Sequence, residues 1–350
     1  MAVMLATGRT GYEKLLADEL ATEGFAAGEM GPGWILTGGA QPLGVRRPSP
    51  AGRTAGSALP DLAFPHLMIA EPVDLRAASV NAQAASIAEF FAESLRGEQL
   101  ETAWPCVFLA AGGRSGLNRR AAAVRRAFQE SLKKKLPRVA RLALPGSPRA
   151  AGPARGLFVF FASFDRAFMA RDAILGGQHR MADDPAAPSR SYLKIEEAYG
   201  VLGAAPRPGE TVCDLGAAPG GWSYSAAKHG ARVTAVDHGP LKAGAKHHPG
   251  ITHCREDAFR FRPAAGGTYD WLFCDLVEEP HHVLRNLVTP WLARRWCRRF
   301  VINLKFGRAD PTALLSGLRA SSSPFVAHTA SFRIRHLYHD REEFTVMGEV

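Results

Sequence analysis

Residues 211–230 read TVCDLGAAPGGWSYSAAKHG. The first five suit a short buried strand, "GAAPGG" (216–221) is a glycine-rich turn, and "WSYSAAKHG" is a helix that Gly230 stops. Strand, glycine turn and helix in this order open a doubly wound α/β sheet, and such a turn lets a ligand approach the backbone and the positive helix end. The sequence beyond keeps the rhythm. "ARVTAVD" (231–237), "GITHCRED" (250–257), "YDWLFCDL" (269–276) and "RRFVINLKF" (298–306) are strand-like runs separated by helical segments. That alternation predicts a parallel sheet. Two further strand-like runs, "FVAHTASFRI" (325–334) and "EEFTVMGEV" (342–350), extend the expected sheet to seven strands.

The bulk numbers bound what surrounds this sheet. A chain of 350 residues with 46% hydrophobic and 22% charged residues has the composition of a globular protein of two or three domains. No apolar run reaches the roughly 18–20 residues that span a bilayer. "MAVMLATGRTGYEK" lacks the features of a secretory signal, so a cytoplasmic location is expected. Five scattered cysteines, none spaced as CxxC, read as reduced thiols. A net charge of +10 points to a polyanionic partner, nucleic acid before a membrane surface, although an Arg-rich composition would give the same number.

The first half, residues 1–175, reads as an α+β region. "GYEKLLADELATEGF" and "NAQAASIAEFFAESLRGE" are helical, and "GWILTGG", "WPCVFLAAGG" and "GLFVFFASF" are strand-like. Between the last two strands, Val124, Phe128, Leu132 and Leu136 recur every four residues on one predicted helix. From Arg114 to Arg141 ten Lys and Arg residues face a single acid, Glu130. A solvated helix face is the bland reading. The one-sided charge favours a phosphate-contacting surface carried by Arg119, Arg120, Arg125, Arg126, Lys133, Lys134 and Lys135. Residues 38–61 and 176–190 are Gly/Pro/Ala-rich connectors, and the second of these separates the region from residues 191–350.

The glycine turn must next be matched to a ligand. Gly216, Ala218, Pro219, Gly220 and Gly221 do not follow the G-x-G-x-x-G spacing of a dinucleotide site. Asp214 sits at the end of the first strand, where a pyrophosphate would be repelled. S-adenosylmethionine has no phosphate and carries a cationic sulfonium and an amino group, so the acid favours it over a dinucleotide. Asp237 lies 21 residues after Gly216, the spacing of a carboxylate that grips ribose hydroxyls. Asp257, after the third strand, is placed for the adenine side, with a turn-capping aspartate as the alternative.

Chemistry is expected at the same sheet edge. Asp275 ends the fourth strand and Lys305 ends "FVINLK", where a buried lysine is costly and rare. Lys194 falls in the first turn of a helix with an apolar stripe at Ile195, Ala198, Tyr199 and Leu202, which Ser191 is positioned to cap. A cation there opposes the helix dipole, a conflict typical of functional positions. Glu342 and Glu343 open the last strand. Two lysines and two carboxylates suit methylation of an alcohol, which needs a general base. Burial and a second cation both favour a neutral lysine amine, while Asp275 opposes them. Cytosine-C5 methylation needs a cysteine nucleophile, but Cys274 and Asp275 face opposite ways on a strand. The histidine pairs lack a matching ligand cluster, so no metal site is expected.

The segments "PSRSYLKIEEAYGVL", "DLGAAPGGW", "AVDHGPL", "REDAFRFRP", "CDLVEEP", "FVINLKFG" and "LYHDREEFTV" occur in order over about residues 186–350. Together they closely resemble the bacterial ribosomal large-subunit methyltransferase M family. The resemblance implies a Rossmann-like, seven-stranded S-adenosylmethionine-dependent methyltransferase domain. It implies transfer of a methyl group to the 2′-oxygen of a cytidine in the peptidyl-transferase region of 23S rRNA. It assigns a Lys-Asp-Lys-Glu tetrad to Lys194, Asp275, Lys305 and Glu342, with Lys305 as proton acceptor. Cofactor contacts fall on Ser191, Ala218 to Gly221, Asp237, Asp257 and Asp275. It also implies an N-terminal THUMP-type RNA-binding domain beside a ferredoxin-like piece. Separately, a monomer is expected. Ala218 stands where the family usually has cysteine, and residues 38–61 are atypical. A related FtsJ-like or hemolysin-like enzyme acting on another RNA, or an RNA-binding assembly protein without activity, are the alternatives.

Overall fold

The computed structural model describes residues 3–38, 60–307 and 309–350. Most of the expected connector at 38–61 lies outside the described residues. Described residues up to 38 together with 64–177 form one compact unit, and residues 60–63 with 178–350 form another.

The second unit is built on seven strands. They are β1 (Thr211–Leu215), β2 (Arg232–Val236), β3 (Ile251–Cys254), β4 (Tyr269–Cys274), β5 (Cys297–Lys305), β6 (Ser331–Arg335) and β7 (Glu343–Glu349). Their spatial order is β3-β2-β1-β4-β5-β7-β6. The first five are parallel, so their C-terminal ends share one edge. β7 runs antiparallel between β5 and β6, which brings its first residue to that same edge. Chain order reverses at β1, where open α/β sheets place ligands beyond the carboxyl ends of the strands.

Two helices dock beside this edge. Helix α1 (Tyr192–Leu202) buries Ile195, Ala198 and Tyr199, and the Tyr199 ring lies 6.1 Å from those of Trp271 and Phe273 on β4. Helix α2 (Gly221–Lys228) follows the glycine turn and seats Trp222 against Phe273 at 5.9 Å. The run 325–334 differs from its strand reading. Pro324 at the first helical position and Ser323, whose hydroxyl accepts from the Phe325 N–H, fold Pro324–His328 into a helical turn, and only Ser331–Arg335 is strand. Segment 178–190 is held by side chains of the second unit rather than hanging as a free connector. The His179 N–H donates to Glu197, the Met181 N–H to His339 Nε2, and Lys228 and Tyr224 reach Asp184.

The first unit has a nine-stranded sheet among its described residues. Its centre, Arg166–Leu175, Gly152–Phe161 and Trp104–Ala110, is covered by two packed helices, Val80–Ser94 and Leu117–Lys135. The stripe Val124, Phe128 and Leu132 is buried there as its spacing predicts. Pro137 breaks the helix after Lys135, so Leu136 falls outside it. Phe128 is fully buried, with Phe91 at 6.0 Å and Phe108 at 5.8 Å. Replacing it by alanine should cost about 3–5 kcal/mol of stability. Urea unfolding of Phe128→Ala measures this, and a loss below about 1 kcal/mol would contradict the packing.

Candidate active site

The strand ends position the site from β1 outward. Gly216 follows β1 with a φ of +81°, and a Cβ there would lie 2.5 Å from Leu276 Cδ2. Gly220 has a φ of +108°, and its Cβ would meet Ala245 Cβ at 2.6 Å. No side chain fits either place, so the turn stays bare backbone. Ala218 and Pro219 lie between them. Asp237, one residue past β2, accepts the Ala218 N–H at 3.0 Å and the Gly239 N–H at 2.7 Å, which ties the turn to the next strand end.

Asp214 lies beneath the turn and is buried. One carboxylate oxygen accepts the Ser223 hydroxyl at 2.6 Å, while Oδ1 is buried with no hydrogen-bond partner. Burial pushes its pKa up to about 7, against the pull of Ser223. An unsatisfied carboxylate oxygen under a glycine-lined turn fits a ligand that brings a positive charge or a donor, and it would repel a phosphate. Ser191 sits at the head of α1, but its hydroxyl bonds Ser189 at 2.7 Å instead of capping the helix. Its carbonyl accepts from Trp222 Nε1, and its hydroxyl lies 2.7 Å from where a Gly221 Cβ would stand. Asp257, beyond the end of β3, shares no described hydrogen bond with this group. It accepts the Phe259 N–H, lies 3.6 Å from Arg260, and its side chain is 42% exposed.

Four charged side chains close into a ring beside the turn. Lys194 Nζ lies 2.6 Å from Glu343 Oε1 and 3.8 Å from Asp275 Oδ2. Lys305 Nζ lies 2.8 Å from Glu343 Oε2 and in close contact with Asp275 Oδ1. Each lysine thus touches both carboxylates, and the formal charges cancel. Lys305 also donates to Asn303 Oδ1 at 2.7 Å. Burial disfavours the Lys305 ammonium, but Asp275 and Glu343 outweigh burial and raise its pKa above the ordinary lysine value. Burial likewise opposes ionisation of Glu343, and Lys194 and Lys305 overcome it, so that carboxyl is held below its usual range. The ring therefore holds Lys305 as an ammonium, which decides the balance the sequence left open: the carboxylates prevail over burial.

Glu343, not Glu342, is the fourth member. The register pairs Lys305 directly with Glu343 across β5 and β7, so their side chains share a face. Glu342 is exposed, and it is its carbonyl that accepts the Phe306 N–H. Three further buried groups support the ring, and none was read from the sequence. Asn303 contacts Lys305 and Asp340, and Asp340 accepts the Leu337 N–H at 2.8 Å and the Thr345 hydroxyl. Glu197, one turn beyond Lys194, accepts the N–H groups of His179, Tyr338 and His339. Asn303 had a signal: it precedes Lys305 by two, so both face the same way on a strand. Glu197 and Asp340 gave none.

The basic residues expected on RNA lie on Leu117–Lys135 in the first unit. Arg119, Arg126, Lys134 and Lys135 are exposed. Lys133 is exposed too but pairs with Glu130 at 2.8 Å. Arg120 turns inward to Gln83 and the Ala78 carbonyl, and Arg125 is half-buried. The seven do not form one face. Among the described residues there is no cluster of three or more His, Cys, Asp or Glu side chains able to hold a metal, and no helix is long and apolar enough to cross a membrane.

Comparisons with known proteins bear on this unit. A family model described as FtsJ-like methyltransferase matches residues 187–291. Similar curated proteins are ribosomal RNA large subunit methyltransferases M. That of Alkalilimnicola ehrlichii is 46% identical over 169 residues, 47% of this chain and 46% of that protein. That of Halorhodospira halophila is 45% identical over 163 residues, 46% of each. The Laribacter hongkongensis protein is 39% identical over 238 residues, 63% of this chain and 64% of its own length. The chain thus spans about half the length of the first two relatives it matches. The FtsJ-like match runs from just before α1 to the segment preceding β5, so it takes in Lys194, the glycine turn and Asp275 but stops short of Lys305 and Glu343.

The second unit should also show a signature in its stability. Burial raises Asp214 and Asp340 to about 7 and Glu197 to about 8. Unfolded carboxyls titrate near 4. Groups with raised folded pKa values favour the folded state fully below pH ~4, and that contribution is lost as pH rises through their folded values. The ligand-free protein should therefore lose thermal stability as pH rises from about 5 to 8. Calorimetry checks this, and a melting temperature that climbs across the window contradicts it.

Proposed function

We propose that this chain is an S-adenosylmethionine-dependent RNA ribose 2′-O-methyltransferase that acts on a cytidine of 23S rRNA in the bacterial cytoplasm. The observation that supports it most is the closed ring of Lys194, Asp275, Lys305 and Glu343 beside a glycine-lined turn on the parallel-strand edge. The names of the similar curated proteins support ribosomal RNA as the substrate.

Asp214, Gly216, Ala218–Gly221 and Asp237 would hold the cofactor. The unpaired Asp214 oxygen suits a cationic or donating group, and Asp237 keeps lone pairs on both oxygens for ribose hydroxyls. Ser191 contributes through its contacts with Trp222 and the start of α2, and Asp257 offers its partly exposed carboxylate. Bound there, S-adenosylmethionine supplies an electrophilic methyl group on a positively charged sulfur.

The remaining chemistry belongs to the ring. A ribose hydroxyl must lose its proton as its oxygen bonds to carbon, and Lys305 in its neutral form accepts that proton. The resting ring favours the ammonium, so a proton must first leave Lys305. A second positive charge brought to this edge lowers the lysine pKa and favours that release. Asp275 and Glu343 fix both amines, and Lys194 shares each carboxylate with Lys305, weakening their hold on its proton. The exposed cations Arg119, Arg126, Lys134 and Lys135 of the first unit attract the RNA backbone. The working unit is a monomer.

Two substitutions separate chemistry from binding. Lys305→Ala should abolish methyl transfer while S-adenosylmethionine affinity stays within about threefold of wild type. Ribose methylation of large-subunit rRNA read by mass spectrometry, with calorimetry for the cofactor, tests both halves, and retained activity refutes the proton acceptor. Asp237→Ala should weaken cofactor binding by roughly tenfold or more, the scale of lost charge-assisted hydrogen bonds. An unaltered dissociation constant would remove Asp237 from the cofactor site.

A further inference from the structure

An ammonium has three N–H donors, and Lys305 has three acceptors around it: Asp275 Oδ1, Glu343 Oε2 and Asn303 Oδ1. Two of these are carboxylates shared with Lys194. The third is a neutral amide with no contact to Lys194 among the described hydrogen bonds. We propose that Asn303 is a positioning residue for Lys305, a strut that fixes where Nζ stands and sets how readily it gives up its proton. This rests on Lys305 being the proton acceptor of the proposed function.

The strut is built from behind. Asn303 lies two residues before Lys305 on β5, so the two side chains share a face. Its cross-strand partner on that face is Thr345, as Glu343 is that of Lys305. Asn303 Nδ2 donates to Asp340 Oδ1 at 3.3 Å and to Thr345 Oγ1 at 3.2 Å. The Lys305 ammonium only donates, which fixes the amide with its oxygen toward Lys305. The Thr345 hydroxyl donates to Asp340 Oδ2 at 3.0 Å, and Asp340 is anchored by the Leu337 N–H at 2.8 Å. Asn303, Asp340 and Thr345 are all at most 1% exposed. A buried network of this kind holds its members in one geometry, and leaving any of them unsatisfied is costly.

Charged groups face Lys305 from every packed element: Asp275 from the end of β4, Glu343 from β7, Lys194 from α1 through the shared carboxylates, and Asp340 behind Asn303. Replacing Asn303 by leucine removes an acceptor from the ammonium and adds apolar surface, and both changes favour the neutral amine. The Lys305 pKa should then fall by roughly one to two units, the scale of a hydrogen bond to a charged group. A freed Nζ should also lose aim and lower the maximal rate roughly tenfold or more.

The test uses the 350-residue chain with isotope-labelled lysine, following the Lys305 Nζ titration by NMR without RNA, alongside the pH profile of rRNA methylation. For Asn303→Leu, a titration midpoint one to two units below wild type with a lower rate plateau and unchanged cofactor affinity supports the strut. A wild-type midpoint overturns it, whatever the activity, because a purely structural asparagine would change folded yield and not the titration. Thr345→Val does not touch Lys305 and keeps side-chain volume, so it serves if Asn303→Leu fails to fold. It should shift the midpoint the same way by a smaller amount, and an unmoved midpoint in this variant also counts against the proposal. Absence of methylation by the wild-type protein would overturn the function proposed above, while the titration would still decide the role of Asn303.

Discussion

The Lys305–Glu343 pair is where the topology of the second unit becomes chemistry. A parallel sheet delivers only C-terminal strand ends to its ligand-bearing edge, as Asp275 and Lys305 show. The antiparallel return of β7 brings an N-terminal strand end to the same place, and with it a second carboxylate. Without that return, two lysines would share Asp275 alone, and a buried cation with half its partners is costly. The ring therefore requires the order β4-β5-β7, and α1 completes it by presenting Lys194 from outside the sheet.

Most of this unit was legible because its strands are short apolar runs that end in turn formers or charges, and because its turn residues are chemically restrictive. The choice between Glu342 and Glu343 was not legible. Adjacent residues on a strand point to opposite faces, so a shift of one in register exchanges them, and the sequence carries two consecutive acids. The run 325–334 failed for another reason: its composition suits a strand, but Ser323 and Pro324 start a helical turn first. Glu197 and Asp340 could not be found at all. A buried acid that satisfies main-chain N–H groups looks in sequence like any other acid on a helix or turn.

The first unit was read less fully. Its stripe at Val124, Phe128 and Leu132 was clear because periodic burial on a long helix is a strong signal. Six of its strands, Met4–Thr7, Ala27–Gly31, Leu67–Ala70, Val73–Arg76, Ala143–Pro145 and Arg166–Leu175, were passed over. The first five are only three to five residues long, and the last carries Arg166, Arg171 and Asp172 within it. Arg171 is tolerated in a buried strand because Gly156, Ser94 and Glu98 satisfy its donors.

The neutrality of the ring has a kinetic consequence. Two lysines and two carboxylates cancel at short range, so the reactive edge exerts little long-range pull on a polyanion. Attraction of such a substrate must come from cations elsewhere, and those on Leu117–Lys135 are exposed to screening by salt. Under the proposed function, capture and chemistry are then governed by separate charge sets: ionic strength should slow the encounter while leaving the turnover of bound substrate nearly untouched.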